Sequence, residues 1–269
     1  MTEKLAALQK YLAKIGSMAV AFSGGVDSTF LLKVAHDLLG EKVIAVTAAS
    51  KALPARELEV TKNFCCAENI HQVIFNADEL ISEIFLRNPK DRCYFCKRAL
   101  FEKILIIAAE NNVAYVVEGS NMDDSGDYRP GMRAVAELEI KSPLRHVGLW
   151  KSEIRALSKN LNLSTWDKPS YACLASRFVY GESITPEKLT RVDKAEQFLI
   201  DAGFKQVRVR IHGNIARIEI LPDDFSKFLE KNFRDEVAAQ FKSYGFDFVT
   251  LDLQGYRVGS MNGGIDGEL

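Results

Sequence analysis

The sequence predicts a doubly wound α/β domain, a parallel sheet with helices on both faces, followed by a smaller α+β domain. Three observations carry this expectation. Short uninterrupted apolar runs alternate with helical periodicity as far as residue 161. Strands buried on both faces read as continuous apolar runs, because helices cover each side of a parallel sheet. From residue 186 the pattern changes, and two strand-like stretches follow one another directly before the next helical segment.

Each element has its own signal. Leu5, Leu8, Leu12 and Ile15 share one face of a helix over 4–15, and Gly16 stops it. The run M-A-V-A-F at 18–22 reads as a buried strand. Residues 27–39 read as a helix closed by Gly40, and V-I-A-V-T at 43–47 as a second strand. Pro54 opens a helix that reaches about Asn69. A strand at 71–75, a long helix at 91–111, a strand at 114–118 and a helix at 151–161 follow. The segment 163–184 carries Ser, Pro and Gly without clear periodicity and reads as a functional loop. A helix at 186–202, strands at 205–212 and 214–221, helices over 223–244 and a strand at 246–253 complete the chain. The expected division is a first domain over 1–165, a loop and linker over 166–184, a second domain over 185–260 and a flexible tail over 261–269.

Composition narrows the partners. The 269 residues are 47% hydrophobic and 26% charged, ordinary for a soluble globular protein with room for two cores. Lys plus Arg is 35 against 36 for Asp plus Glu, so the formal charge is −1. Nucleic-acid binding rests on phosphate contacts and usually shows a basic excess, so no nucleic-acid partner is expected. The longest apolar run, 104–109, is too short to span a bilayer, and no secretory signal is visible. The expectation is a cytoplasmic protein without a membrane partner. Its five cysteines are an odd number, which argues against a disulfide framework.

The chemistry begins at the first strand–helix turn, Ser23-Gly24-Gly25-Val26-Asp27-Ser28-Thr29. Two glycines let backbone N–H groups approach a phosphate, and the helix N-terminus adds a positive end. The hydroxyls of Ser23, Ser28 and Thr29 add donors. Asp27 can cap the helix or hold Mg²⁺ beside a leaving pyrophosphate. A Walker A loop would need a following Lys, and a dinucleotide loop G-x-G-x-x-G; neither is present. The motif S-G-G-x-D-S-[ST] closely resembles the PP-loop of the N-type ATP pyrophosphatases, which include GMP synthetase, NAD synthetase and the tRNA thiolases. This resemblance implies an adenine-nucleotide alpha-hydrolase-like fold, ATP and Mg²⁺ as ligands, and cleavage of ATP to AMP and pyrophosphate. It also implies that the backbone near 47–50, around Ala48, holds adenine, and that 119–124 (G-S-N-M-D-D) is a second nucleotide loop through Gly119 and Asp124. The same Asp and Asn residues have a mundane alternative as turn formers.

Cys93 and Cys96 are three apart at the start of a predicted helix, so both thiols lie on one face. Such a pair can bind a metal, form a redox couple or simply be buried. Zn²⁺ usually takes four ligands. Cys173, in the loop 170–177, is the other cysteine with a functional setting. Three cysteines suit a [4Fe–4S] cluster with one iron left open for an extra sulfide. Zinc, a persulfide pair and a structural role remain alternatives. Cys65 and Cys66 are expected in the core.

Over nearly its whole length the chain resembles the LarE family of ATP-dependent sulfur transferases. The matching stretches are 21–29, 127–131, 176–181, 207–210, 215–219, 249–253 and 255–257. The resemblance implies that ATP adenylates a carboxylate of a pyridinium biscarboxylic acid mononucleotide. Sulfur then replaces AMP to give a thiocarboxylate, for the nickel-pincer cofactor of lactate racemase. Some members surrender the sulfur of one cysteine in the loop before S-R-F-x-Y-G and become dehydroalanine. Here that loop reads Tyr171-Ala172-Cys173-Leu174, with the cysteine shifted by one position and a C-x-x-C pair added. The chain thus resembles a three-cysteine branch, which implies Cys93, Cys96 and Cys173 as cluster ligands and, with Asp27, as the catalytic set. Arg208 and Arg210, two apart in a strand, share a face. The family implies that they bind the substrate's phosphate, with Glu196 nearby and Arg177 and Arg129 as weaker candidates. The implied partners are a nucleotide-like small molecule and a sulfur donor: sulfide, cysteine or a desulfurase. A homo-oligomer is left open. Two other readings fit the loop, a tRNA thiolase and a non-catalytic nucleotide sensor, and the acidic balance weighs against the first.

Overall fold

The computed structural model describes residues 2–78, 82–125, 130–169, 172–257 and 260. Contacts divide the chain into two units: Met1–Ile81 with Asp91–Tyr171, and Ser82–Lys90 with Ala172–Leu269.

In the first unit, β1 (Met18–Ala21) lies at the centre because both of its faces can be buried. With β2 (Val43–Ala49), β3 (Gln72–Asn76) and β4 (Tyr115–Val117) it forms a parallel sheet in the order β3-β2-β1-β4. Alternation along each strand builds two cores. Met18 and Val20 of β1 and Val43 and Ala45 of β2 point to one side. There they meet Leu8 and Leu12 of α1 (Thr2–Ile15), Phe30, Leu31 and Val34 of α2 (Val26–Leu39), and Cys65 of α3 (Ala55–Ala67). Ala19, Ile44 and Val46 point to the other side and meet Phe101, Ile104 and Ile107 of a long helix and Val135 of a short one. The two-sided packing is what the apolar runs encode.

Several elements lay below the resolution of sequence periodicity. A one-turn helix α4 (Glu83–Arg87) belongs to the second unit, although it interrupts the first in sequence. The long helix is α5 (Arg92–Glu110), the short one α6 (Gly131–Glu137), and α7 (Pro143–His146) precedes α8 (Lys151–Asn160). The helices α4, α6 and α7 are too short to display a period. Ile154 and Leu157 of α8 complete the first core.

The second unit pairs α9 (Pro186–Asp201) with β5 (Val207–His212), β6 (Ile215–Ile220) and β7 (Phe248–Leu251). The strand β6 is antiparallel to β5 and parallel to β7. Val209 opposes Ile218, while Arg208 opposes Glu219 and Arg210 opposes Arg217. One face of the hairpin is therefore apolar and the other charged, because neighbours across strands share a face. The segment 223–244 splits into α10 (Phe225–Phe228) and α11 (Lys231–Ser243). Phe228 of α10 and Phe233 of α11 pack with Phe204, ring centroids 5.4 to 5.9 Å apart. Among the described residues, no helix is long and apolar enough to cross a membrane.

Candidate functional site

The phosphate loop joins β1 to α2 in the first unit. Gly24 has φ +71°, a conformation that L side chains rarely adopt, and a Cβ there would lie 3.1 Å from Thr61 Cγ2. Gly25 is the N-cap of α2 in an extended conformation, φ −78° and ψ 162°, with no side-chain cap. Asp27 thus sits in the first turn and does not cap the helix, which removes the simpler of its two expected roles. Its Oδ2 accepts from Lys151 Nζ, while Oδ1 is buried with no hydrogen-bond partner among the described residues. Burial raises the Asp27 carboxyl above the ordinary aspartate value; Lys151 opposes that shift, and the Asp124 charge adds to it.

The hydroxyls expected to line the loop are there. Ser28 Oγ lies 3.1 Å from Ser23 Oγ and donates to the Gly25 carbonyl at 3.2 Å. Thr29 Oγ1 is buried with no partner among the described residues. Gly119 packs on this turn so closely that a Cβ would lie 3.0 Å from the Ser28 backbone nitrogen. An orphaned carboxylate oxygen and an orphaned hydroxyl, beside helix N–H groups that lack intrahelical partners, suit a phosphate and its Mg²⁺.

The strand β2 continues past its last pairing with β1, Ala21 with Val46, so 47–49 overhang the phosphate loop. Within that overhang, Thr47 Oγ1 donates to the Phe22 carbonyl at 3.0 Å and accepts from Gln72 Nε2 at 2.9 Å. Ala48 stays in register with Phe75 of β3. The backbone expected to read adenine is thus at the carboxyl edge of the sheet.

The loop 119–124 is a turn whose Gly119 packs against the phosphate loop. The Asn121 N–H donates to Asp124 Oδ2 at 2.9 Å, and Asn121 Oδ1 accepts from the Asp123 N–H at 2.9 Å. Asp123 Oδ2 then accepts from the Lys151 backbone N–H at 2.6 Å. Two lysines absent from the sequence expectations touch the phosphate loop. One is Lys151 on Asp27. The other is Lys168, whose Nζ donates to the Gly24 carbonyl at 2.9 Å and to Glu57 Oε2 at 2.7 Å. Arg155 pins the same segment through the carbonyls of Trp166 and Lys168, at 2.7 and 2.8 Å. One signal could have exposed Lys151: a cation at the first position of a helix opposes the macrodipole.

None of the five cysteines is in a disulfide. Cys93 and Cys96 begin α5 in the first unit and are half-buried, and Arg92 Nη2 approaches Cys93 Sγ at 3.9 Å. Cys173, also half-buried, precedes a single 3-10 turn at Leu174–Arg177 in the second unit. Cys65 is buried, and burial pushes its thiol up to about 12. Cys66 is exposed, so the expectation that both lie in the core is corrected for one of them. Adjacent helix residues point about 100° apart, so a helix packed on one side buries one of two neighbours. Among the described residues, neither unit by itself gathers three or more His, Cys, Asp or Glu side chains as a metal site.

The second unit contains a buried charged cluster. Arg177 and Glu196 are wholly buried and form a bidentate pair, Nε to Oε1 at 2.8 Å and Nη2 to Oε2 at 2.9 Å. Arg177 Nη1 also donates to the carbonyls of Ala172 and Cys173, at 2.8 and 3.1 Å. Every guanidinium nitrogen of Arg177 therefore has an internal partner, and the residue fixes the loop that carries Cys173. The Arg177 charge keeps Glu196 below the usual carboxylate range despite its burial. Arg210 donates to Glu219 at 3.0 Å, to Ser260 Oγ at 2.9 Å and to the Ser176 carbonyl at 2.9 Å. Arg208 lies 5.2 Å over the Tyr256 ring and donates to the Val207 carbonyl at 2.7 Å. Burial, helped by the Arg177 charge, pulls Arg208 down to about 10. An incoming anion would relieve that stress. Arg129 lies outside the described residues, as do 126–128, 170–171 and 261–269.

No family model matches the chain. It is 41% identical to an uncharacterised protein of Synechocystis sp., over 97% of this chain and 98% of that one. It is 38% identical to the pyridinium-3,5-bisthiocarboxylic acid mononucleotide synthase of Lactiplantibacillus plantarum, over 97% of this chain and 95% of the relative. A glutamine-hydrolysing GMP synthase chain of Thermoplasma acidophilum is 26% identical, over 69% of this chain and 64% of that one.

Proposed function

The chain belongs to the family of the pyridinium-3,5-bisthiocarboxylic acid mononucleotide synthases, and from that membership we propose that it activates a carboxylate of a pyridinium biscarboxylate mononucleotide with ATP and replaces the activated oxygen by sulfur. The substrate carboxylate attacks the α-phosphorus and pyrophosphate leaves. A sulfur nucleophile then attacks the acyl carbon of the adenylate and AMP leaves, giving a thiocarboxylate. The adenylate is needed because a free carboxylate is a poor electrophile. We assign the product to nickel-pincer cofactor assembly, and hence to lactate racemase maturation, in the cytoplasm.

The observation that carries the reading is the phosphate loop, where Asp27 Oδ1 and Thr29 Oγ1 are buried without partners among the described residues. The reading gives the loop N–H groups and the hydroxyls of Ser23, Ser28 and Thr29 to the pyrophosphate end of ATP. Asp27 would hold Mg²⁺, whose charge offsets that developing on the leaving group. The overhang around Ala48 and the loop from Gly119 to Asp124 would hold the nucleoside. Arg208 and Arg210 would hold the phosphate of the mononucleotide. Arg177 and Glu196 support that end by fixing its loop.

The finer part concerns sulfur. In this reading Cys93, Cys96 and Cys173 would ligate a [4Fe–4S] cluster, which supplies a replaceable sulfide when bound. Support comes from the shared helical face of Cys93 and Cys96, from three half-buried thiols outside any disulfide, and from the added C-x-x-C pair. Burial instead holds the Cys65 thiol protonated.

The test is anaerobic incubation of the protein with ATP, Mg²⁺, sulfide and the biscarboxylate mononucleotide. Expected are pyrophosphate, AMP and a product heavier by about 16 Da, the replacement of one oxygen by sulfur. Pyrophosphate release that depends on bulk tRNA instead would overturn the assignment.

A further inference from the structure

Lys151 opens α8, where the macrodipole disfavours a positive charge. Its position is nevertheless built. Asn121 Oδ1 holds the Asp123 N–H, and Asp123 Oδ2 holds the Lys151 N–H. From that anchor the side chain reaches Asp27, and its ammonium contacts Oδ2. Among the described residues, Oδ1 has no hydrogen-bond partner. The pair is partly exposed, 27% for the lysine and 20% for the aspartate, so it contributes little to stability. A lysine is a compact charge on a flexible stem and can change partners without moving its backbone.

We propose that Lys151 is the resident counter-cation of Asp27, which yields the carboxylate to the metal when nucleotide arrives and passes its ammonium to the phosphates. The proposal rests on the ATP reading above. It gives the turn at 119–124 a second role, because the turn sets the fixed end of the lysine while the charged end exchanges. The exchange is balanced in charge. The carboxylate trades one cation for another, and the released ammonium meets the negative charge that the metal only partly offsets. No proton transfer is needed.

The test uses the full chain, freed of metal, with Mn²⁺ alone as an electron-paramagnetic probe of the Mg²⁺ position. Wild type is compared with Lys151→Met, Lys151→Arg and Asp27→Asn. Losing a charge-assisted contact typically changes affinity about 10- to 100-fold. Lys151→Met is expected to bind Mn²⁺ without nucleotide about ten-fold more tightly than wild type, yet to bind ATP with Mn²⁺ about ten-fold more weakly. Lys151→Arg, whose planar fork holds a carboxylate at two points, is expected to keep Mn²⁺ binding without nucleotide no tighter than wild type. The opposite signs are the diagnostic, because mere loss of structure weakens both. Equal weakening of both, or unchanged Mn²⁺ affinity in Lys151→Met while Asp27→Asn abolishes it, overturns the proposal and leaves the ATP reading intact. Undiminished Mn²⁺ binding in Asp27→Asn overturns both.

Discussion

Asp27 shows what a phosphate loop costs the fold at the scale of one residue. Its carboxyl is raised above the ordinary aspartate value by burial, despite the lysine beside it. The folded protein therefore holds a proton there at pH values where the unfolded chain has lost it. Stability from this group is present at low pH and is lost as pH rises through the raised value. Asp27→Asn removes that loss, so at pH 8 its melting temperature is expected to equal or exceed that of wild type, with a smaller advantage at pH 4. Pyrophosphate release should meanwhile fall about 100-fold or more, the scale set by removing one group that stabilises developing charge. Thermal melts at the two pH values check the first part, and a variant clearly less stable at pH 8 contradicts it. The cysteines divide by the same physics. Iodoacetamide at pH 8 on cluster-free protein is expected to label Cys66, Cys93, Cys96 and Cys173 and to spare Cys65 until denaturant is added, because a thiol pushed up to about 12 offers almost no thiolate. Peptide mass spectrometry reads the pattern directly.

At the scale of elements, the strand–turn–helix that forms the loop was legible because its glycines and apolar run are local signals. What each glycine does was not. Gly24 needs its positive φ, whereas Gly25 has an extended backbone that any residue adopts, and a Cβ there would meet only Ser23 Oγ at 3.5 Å. Gly24→Ala should therefore destabilise the protein by about 1–2 kcal/mol. Gly25→Val should leave the melting temperature nearly unchanged and block pyrophosphate release, since its side chain would fill the phosphate cradle. If the two variants melt alike, the assignment of roles is wrong. The pairing of Arg177 with Glu196 was illegible for a different reason. Sequence shows two charged residues 19 apart, and only the packing of the 3-10 turn at Leu174–Arg177 against α9 and β5 buries both. Arg177→Ala leaves a buried carboxylate uncompensated and should cost about 3–5 kcal/mol, while Arg177→Met with Glu196→Leu should cost less. Glu196 is held below its usual range, so its contribution is present at neutral pH and is lost as pH falls below about 4.3. Denaturant titrations of both variants at pH 7 decide between these costs.

At the scale of the whole molecule, the parallel sheet was readable from periodicity, but the grouping of 82–90 with the second unit was not. That segment is a single helical turn, and its place depends on contacts such as the Asn88 side chain with the Val179 carbonyl at 2.7 Å. The lysines on the phosphate loop were missed because they are distant in sequence from the motif they serve. The proposed sulfur chemistry is tested on the intact protein. A cluster held by Cys93, Cys96 and Cys173 permits repeated turnover, since its sulfide can be replaced. A sacrificial cysteine permits one transfer per thiol. Anaerobically purified protein is expected to hold about four iron and four sulfide per chain, with the broad visible absorption of a [4Fe–4S] centre. Each single Cys→Ala change at 93, 96 or 173 should remove that absorption and multiple turnover together while ATP binding persists, and Cys66→Ala should remove neither. Mass spectrometry after reaction is decisive. A loss of about 34 Da at Cys173, the departure of H₂S that leaves dehydroalanine, would show that the thiol itself was spent. An intact Cys173 after more than one product per chain is the outcome the cluster requires, because no single thiol can supply sulfur twice.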